Sequence, residues 1–147
     1  MRLLARAHQM PVRLAVGAFV LNSGLSKLQD LEGAAEQTHG TAKTAYPFLE
    51  SKDPKDFTRM LGRAEVALGT ALLVPLVPSL LAGAALTAFS SGLAGLYLRL
   101  PGMRQGRGLR PSPQGIPLAK DTWLVGIGVS LVLDDLAAAR AEHCARS

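Results

Sequence analysis

Apolar residues gather into four runs along the chain, separated by two polar stretches. The first run covers residues 12–31. It opens after Pro11, which suits a first helical turn, and its centre reads Leu14-Ala15-Val16-Gly17-Ala18-Phe19-Val20-Leu21. The others cover residues 61–77, 79–98 and 122–139. A helix of about 20 residues at about 1.5 Å rise reaches about 30 Å, the thickness of a bilayer's hydrocarbon core. The pattern therefore predicts an all-α fold, an integral membrane four-helix bundle forming a single transmembrane domain. The break at Pro78 and Ser79 is so short that it forces the second and third helices into an antiparallel hairpin.

Residues 32–58 are polar and hold Gly33, Gly40, Pro47 and Pro54. They read as a loop with at most short helices, in which Tyr46, Pro47 and Phe48 dip into the membrane interface. Residues 99–121 are rich in Gly, Pro and Arg, which excludes a regular helix, and they read as a basic loop facing lipid headgroups. On the third helix, small residues recur at Ala84, Ala88 and Gly92, and again at Ser91 and Gly95. That spacing either lets helices approach closely in lipid or is ordinary transmembrane composition.

Composition supports a membrane setting. Hydrophobic residues make up 48% of the 147 residues, with a mean hydropathy of +0.22. The net charge of +5 could point to nucleic acid. The basic residues lie between apolar runs, however, so they read as flanks of membrane segments and nucleic acid is rejected. Cys144 is alone, which excludes an internal disulfide or a CxxC redox pair. The histidines, His8, His39 and His143, lack metal-ligand spacing, and no metal is expected. The N-terminal apolar run lacks a clear cleavage site, so it is read as a retained first helix.

Helix direction locates the ionisable residues. The first and third helices end, and the second and fourth begin, on one side, here called the loop side. Lys27 and Glu65 each lie about four residues, or about 6 Å, inside that boundary on neighbouring helices. Arg63, Tyr97, Arg99, Asp121 and Trp123 share the boundary. Unpaired charge in a bilayer is costly, so Lys27 and Glu65 should lie within direct or single-water reach. One reading is a polar pocket of Lys27, Glu65, Arg63 and Asp121, in which Lys27 donates to a quinone oxygen or an anion and Glu65 relays a proton. The other is structural: Lys27 snorkels and Glu65 neutralises it. At the opposite, termini side, Arg13 can pair with Asp134 or Asp135 between helices, or these charges simply reach headgroups. Asn22 can hydrogen-bond across helices or to a local carbonyl. The loops hold about twice as many Lys and Arg as the tails, while the first helix's own arginines favour cytoplasmic termini, so orientation stays open.

At these residues the chain resembles the DoxX-like family of small bacterial four-helix membrane proteins. The resemblance rests on Arg13-x-x-x-Gly17-x-Phe19, then Ser23-Gly24-Leu25-Ser26-Lys27-Leu28, and on Glu65-x-x-x-Gly69-x-x-Leu72-Leu73. The family takes its name from a subunit of a thiosulfate:quinone oxidoreductase. Some members are linked to oxidative-stress complexes with a superoxide dismutase and a sulfurtransferase. The resemblance implies a multi-pass protein of the bacterial inner (plasma) membrane, with Lys27 and Glu65 on positions the family pattern marks. It also implies partners in a redox complex besides the lipid bilayer, and a non-covalently bound quinone as cofactor. A thiol-based scheme does not fit a chain whose sole cysteine is Cys144.

Two functions compete. One is a quinone-linked or redox-complex membrane subunit; the other is a non-catalytic scaffold or assembly subunit. A transporter is disfavoured by the lack of an inverted repeat. A self-contained redox centre is disfavoured by the lack of metal or haem ligands.

Overall fold

The computed structural model describes residues 5–106 and 108–144. These form five α-helices: α1 (Met10–Gln29), α2 (Leu31–Ala45), α3 (Pro54–Leu73), α4 (Ser79–Arg99) and α5 (Ile116–Cys144). Single 3₁₀ turns stand at Ala7–Gln9 and Pro47–Leu49. The described residues contain no strand, only an isolated antiparallel bridge between Arg104 and Pro111. The fold is all-α.

The polar stretch after α1 is not a loop. It is helical over Leu31–Ala45, which corrects the reading of residues 32–58. Asp30 joins α1 to α2. Its N–H bonds Ser26 O, and its side chain accepts from Gly33 N at 2.9 Å, capping the new helix. Each interior glycine costs a helix about 1 kcal/mol. Burial of Ala35, His39, Ala42 and Ala45 along one face offsets that cost. His39 Nε2 faces Leu49 O at 2.9 Å, and its ring packs edge-on to Phe57.

Helix α3 starts earlier than the apolar run suggested. Asp53 Oδ1 accepts from Lys55 N and Asp56 N, with Pro54 in the first turn. It ends at Leu73 rather than Val77 because Pro75 disfavours helical geometry at Val74, whose φ and ψ are −81° and 115°. The described residues between α4 and α5, 100–106 and 108–115, form an irregular connection, with Gly102 and Gly106 at positive φ. Residues 116–121, read from sequence as loop, instead open α5, where Pro117 sits in the first turn and displaces no helical hydrogen bond.

The helices pack chiefly as two pairs, α1 with α3 and α4 with α5. The pairs share one core of Val16, Val20, Leu68, Leu72, Leu86 and Leu131, with Ala82 and Leu124. Glycine permits each close approach. A Cβ on Gly24 would lie 2.6 Å from Gly62 O, and one on Gly69 would lie 2.6 Å from Leu21 N. In the other pair, a Cβ on Gly83 would lie 2.8 Å from Gly128 O. The small residues that stood out in the sequence of α4 do not make this contact: Ala84, Ala88, Ser91 and Gly92 are exposed.

Two helices, α4 and α5, are long and apolar enough to cross a membrane. Only 28% and 17% of their most apolar stretches are buried. Leu81, Leu98, Trp123 and Leu133 point outward.

Candidate functional site

The Gly24–Gly62 contact draws α1 and α3 together one turn before Lys27 and Glu65. Lys27 Nζ lies 3.1 and 2.9 Å from Glu65 Oε1 and Oε2, and donates to Ser23 Oγ at 2.8 Å. The side chains are 21% and 6% exposed. The pair is thus direct and largely shielded, and Ser23 and the carboxylate together engage the ammonium's three protons.

The pair forms part of the wall of a cavity of about 420 Å³, within the range of about 300–1,000 Å³ usual for small-molecule sites. The wall is mostly apolar, with Phe19, Phe57 and Phe89 among its residues, and its polar groups include Lys27, Glu65 and Asp121. Asp121, from the first turns of α5, lies within electrostatic reach of Lys27. Arg63 does not join them; it is exposed on α3 and outside the cavity wall. On a helix, residues two apart point about 200° apart, so Arg63 cannot share the face of Glu65.

Helix α2 and the residue that caps it supply a wall that sequence reasoning missed: Thr38, Thr41 and Ala42, followed by Tyr46. Tyr46 ties that wall to α4. Its hydroxyl donates to Gly92 O at 3.0 Å, and its ring lies 4.8 Å beneath the Arg99 guanidinium. The overlooked signal was the cap at Asp30 followed by Ala35, His39 and Ala42 at the three- and four-residue spacing of a buried helical face. Of the other residues expected at the boundary, Tyr97 is buried and donates to Leu109 O at 2.6 Å, whereas Trp123 is exposed and, because α5 begins at Ile116, lies about 10 Å inside that helix rather than at its end.

At the opposite end, Arg13 is fully buried and pairs with neither aspartate. It donates to the carbonyls of Ala71, Leu72, Val74 and Val77 and to Ser79 Oγ, at 2.7–3.0 Å. The break at Pro75 leaves the last carbonyls of α3 without helical partners. A guanidinium, with five N–H groups in a fixed fork, satisfies several at once. Of the two readings of these charges, the direct Arg13–aspartate pair does not form, although Asp135 lies within electrostatic reach of Arg13. Asp135 instead accepts from Leu80 N at 2.9 Å, in the first turn of α4, and Asp134 meets Arg6, His8 and Gln9. Asn22 is exposed, and its carbonyl accepts from Ser26 Oγ.

No family model, curated protein or solved structure matches this chain.

Proposed function

We propose that the chain is a multi-pass protein of the bacterial inner membrane, crossing it with α1, α3, α4 and α5. In this proposal it acts as a DoxX-like, quinone-linked subunit of a membrane redox complex. Helix lengths support the membrane reading: α1 has 20 residues, α4 has 21 and α5 has 29, each sufficient for about 30 Å of hydrocarbon, while the first turns of α3, with exposed Lys55, Asp56 and Arg63, belong among the headgroups. The outward-facing leucines of α4 and α5 favour lipid over water, since a helix apolar on its outer face needs a cover. The charges that make α1 less apolar are turned inward, Arg13 onto carbonyls and Lys27 onto Glu65.

The observation that carries the functional reading is the Lys27–Glu65 pair set into an aromatic, mostly apolar cavity. A quinone headgroup needs a flat apolar slot and a donor for its carbonyl oxygen. The Lys27 proton now directed at Ser23 is the one such an oxygen would take over. Glu65, at the same ammonium, is placed to exchange a proton with it. Menaquinone added to the purified protein should raise its melting temperature, and Lys27→Met should remove that rise.

A scaffold role is the second reading. It is favoured by the completeness of the pair's own hydrogen bonding, which leaves the ammonium satisfied without a ligand. No quinone-induced rise in the unaltered protein would leave that reading in place.

A further inference from the structure

The outer face of α5 carries a second polar centre, which the proposed function does not use. Asp134 Oδ2 accepts from Gln9 Nε2 at 2.5 Å, faces His8 Nε2 at 3.0 Å and accepts from Arg6 Nη1 at 3.4 Å. All three contacts fall on Oδ2, and none reaches Oδ1. The Asp134 side chain is 39% exposed, so Oδ1 is an acceptor open to an arriving donor. Arg6 uses only Nη1 in these contacts and keeps further N–H groups beside the carboxylate.

A groove of about 420 Å³ begins at this centre and follows α5 as far as Trp123. Val12, Ile127 and Leu131 line it with apolar surface. Gly126 and Ser130 keep it deep, and a Cβ on Gly126 would meet nothing within 4 Å. From Asp134 to Trp123 the helix rises about 16 Å. Half of a hydrocarbon core of about 30 Å is about 15 Å, so the groove has the length of one lipid chain in one leaflet.

We propose that this groove holds one phospholipid whose headgroup bears a primary ammonium. The ammonium donates to Asp134 Oδ1, the phosphate lies against Arg6, and one acyl chain runs along α5 to Trp123. Charge selects this headgroup. A carboxylate beside a guanidinium complements an ammonium beside a phosphate. A quaternary ammonium has no N–H to donate, and a headgroup carrying only negative charge meets Asp134 unfavourably. The inference rests on the membrane reading above.

Trp123 is the protein's only tryptophan, so its fluorescence reports on the far end of the groove alone. The full-length protein is reconstituted in phosphatidylcholine bilayers. These contain an equal small fraction of phosphatidylethanolamine, phosphatidylcholine or phosphatidylglycerol carrying the same dibrominated chain, since bromine quenches tryptophan at short range. The ethanolamine lipid should show an occupancy roughly two- to fivefold above the other two, the scale of one half-exposed ion pair. Asp134→Asn should reduce that preference to parity. Gly126→Leu should do the same while leaving the fold intact, because the leucine enters open space. Equal quenching by all three lipids, a preference for phosphatidylglycerol, or a preference that survives Gly126→Leu overturns the site and leaves the membrane reading standing. No quenching by any lipid overturns the membrane reading and the site with it.

Discussion

Gly24 of α1 rests against the carbonyl of Gly62 in α3, and the next inward-facing residue on each helix is a member of the Lys27–Glu65 ion pair. The spacing of the glycines sets the spacing of the charges. A Cβ on Gly24 would lie 2.6 Å from Gly62 O, 2.8 Å from Val66 N and 2.9 Å from Glu65 Cβ. Two of these neighbours are backbone, which cannot swing aside as a side chain can. Gly24→Ala should therefore separate the helices and cost about 1–3 kcal/mol, the usual penalty of overpacking. Thermal melting in detergent measures the loss. An unchanged melting temperature would show that α1 and α3 have room to spare.

Lys27→Met separates the two functional readings. It removes one partner of a shielded pair, which costs about 3–5 kcal/mol when the remaining charge is fully buried. The charge left behind is Glu65, whose side chain is only 6% exposed, so a loss of that order is expected. Adding Glu65→Gln removes the stranded carboxylate and should recover much of the stability. If the cavity holds a quinone, both variants should also lose the melting-temperature rise that menaquinone gives the unaltered protein. Stability restored in the double variant, with no menaquinone effect in any form, would favour the scaffold.

Arg13 should be more sensitive to substitution than either aspartate near it. Arg13→Lys keeps the charge but loses the planar fork, so one ammonium replaces a group that makes five hydrogen bonds. Each buried carbonyl left without a donor costs about 1–3 kcal/mol, and several would be orphaned. Asp135→Asn should be mild, because an amide oxygen still accepts from Leu80 N. Melting curves of the two variants give the comparison. A larger loss from Asp135→Asn would mean that charge, rather than carbonyl capping, holds this end together.

Glu32 offers a pH-dependent test outside the proposed spans. The hydrogen bond from Lys55, at 2.6 Å, and the charge behind it hold the Glu32 carboxyl below its ordinary value. A carboxyl lowered by folding contributes stability above its unfolded pKa and loses it as pH falls through the folded value. The contribution is small because the pair is exposed. Lys55→Gln should move the Glu32 titration upward when followed by carboxyl NMR, and the variant's stability deficit should fade at acid pH. A Glu32 titration that does not move would show that the pair is not formed in solution.

The connection between α4 and α5 should lie outside the hydrocarbon. Its irregular backbone would need partners that lipid does not supply. In sealed vesicles of one orientation, trypsin should cut after Arg104, which is followed by Gln105, from one face only. Protection from both faces would contradict the proposed arrangement of spans.

The helical class was legible in the sequence because apolar runs about 20 residues long report on local backbone geometry and burial together. The Lys27–Glu65 contact was expected from equal depth, but the observed helix ends put Lys27 two residues from the end of α1 and Glu65 eleven residues from the start of α3. The contact forms because both face the α1–α3 seam and the lysine side chain is long. The helix α2 was less visible. Its buried face is made of alanines and one histidine, which raise no hydropathy signal, while Gly33 and Gly40 suggest a break. Packing against α3 outweighs them.

Some features could be decided only by the tertiary structure. Which carbonyls Arg13 would meet depended on where Pro75 ended α3 and on how the chain then turned back at Ser79. Whether Asp121 joined Lys27 depended on helix rotation, which depth along the axis does not specify; Arg63, by contrast, was already excluded by its two-residue offset from Glu65. The cavity itself arises where α2 crosses from α3 to α4. Sequence alone determined that the apolar runs are helical and how far apart two residues lie along one helix, because the helical rise is the same everywhere; the helix starts at Pro54 and Ile116 did not show in the apolar pattern. Only tertiary packing decided which way each residue faces and what meets it, because rotation is set by neighbours distant in the chain.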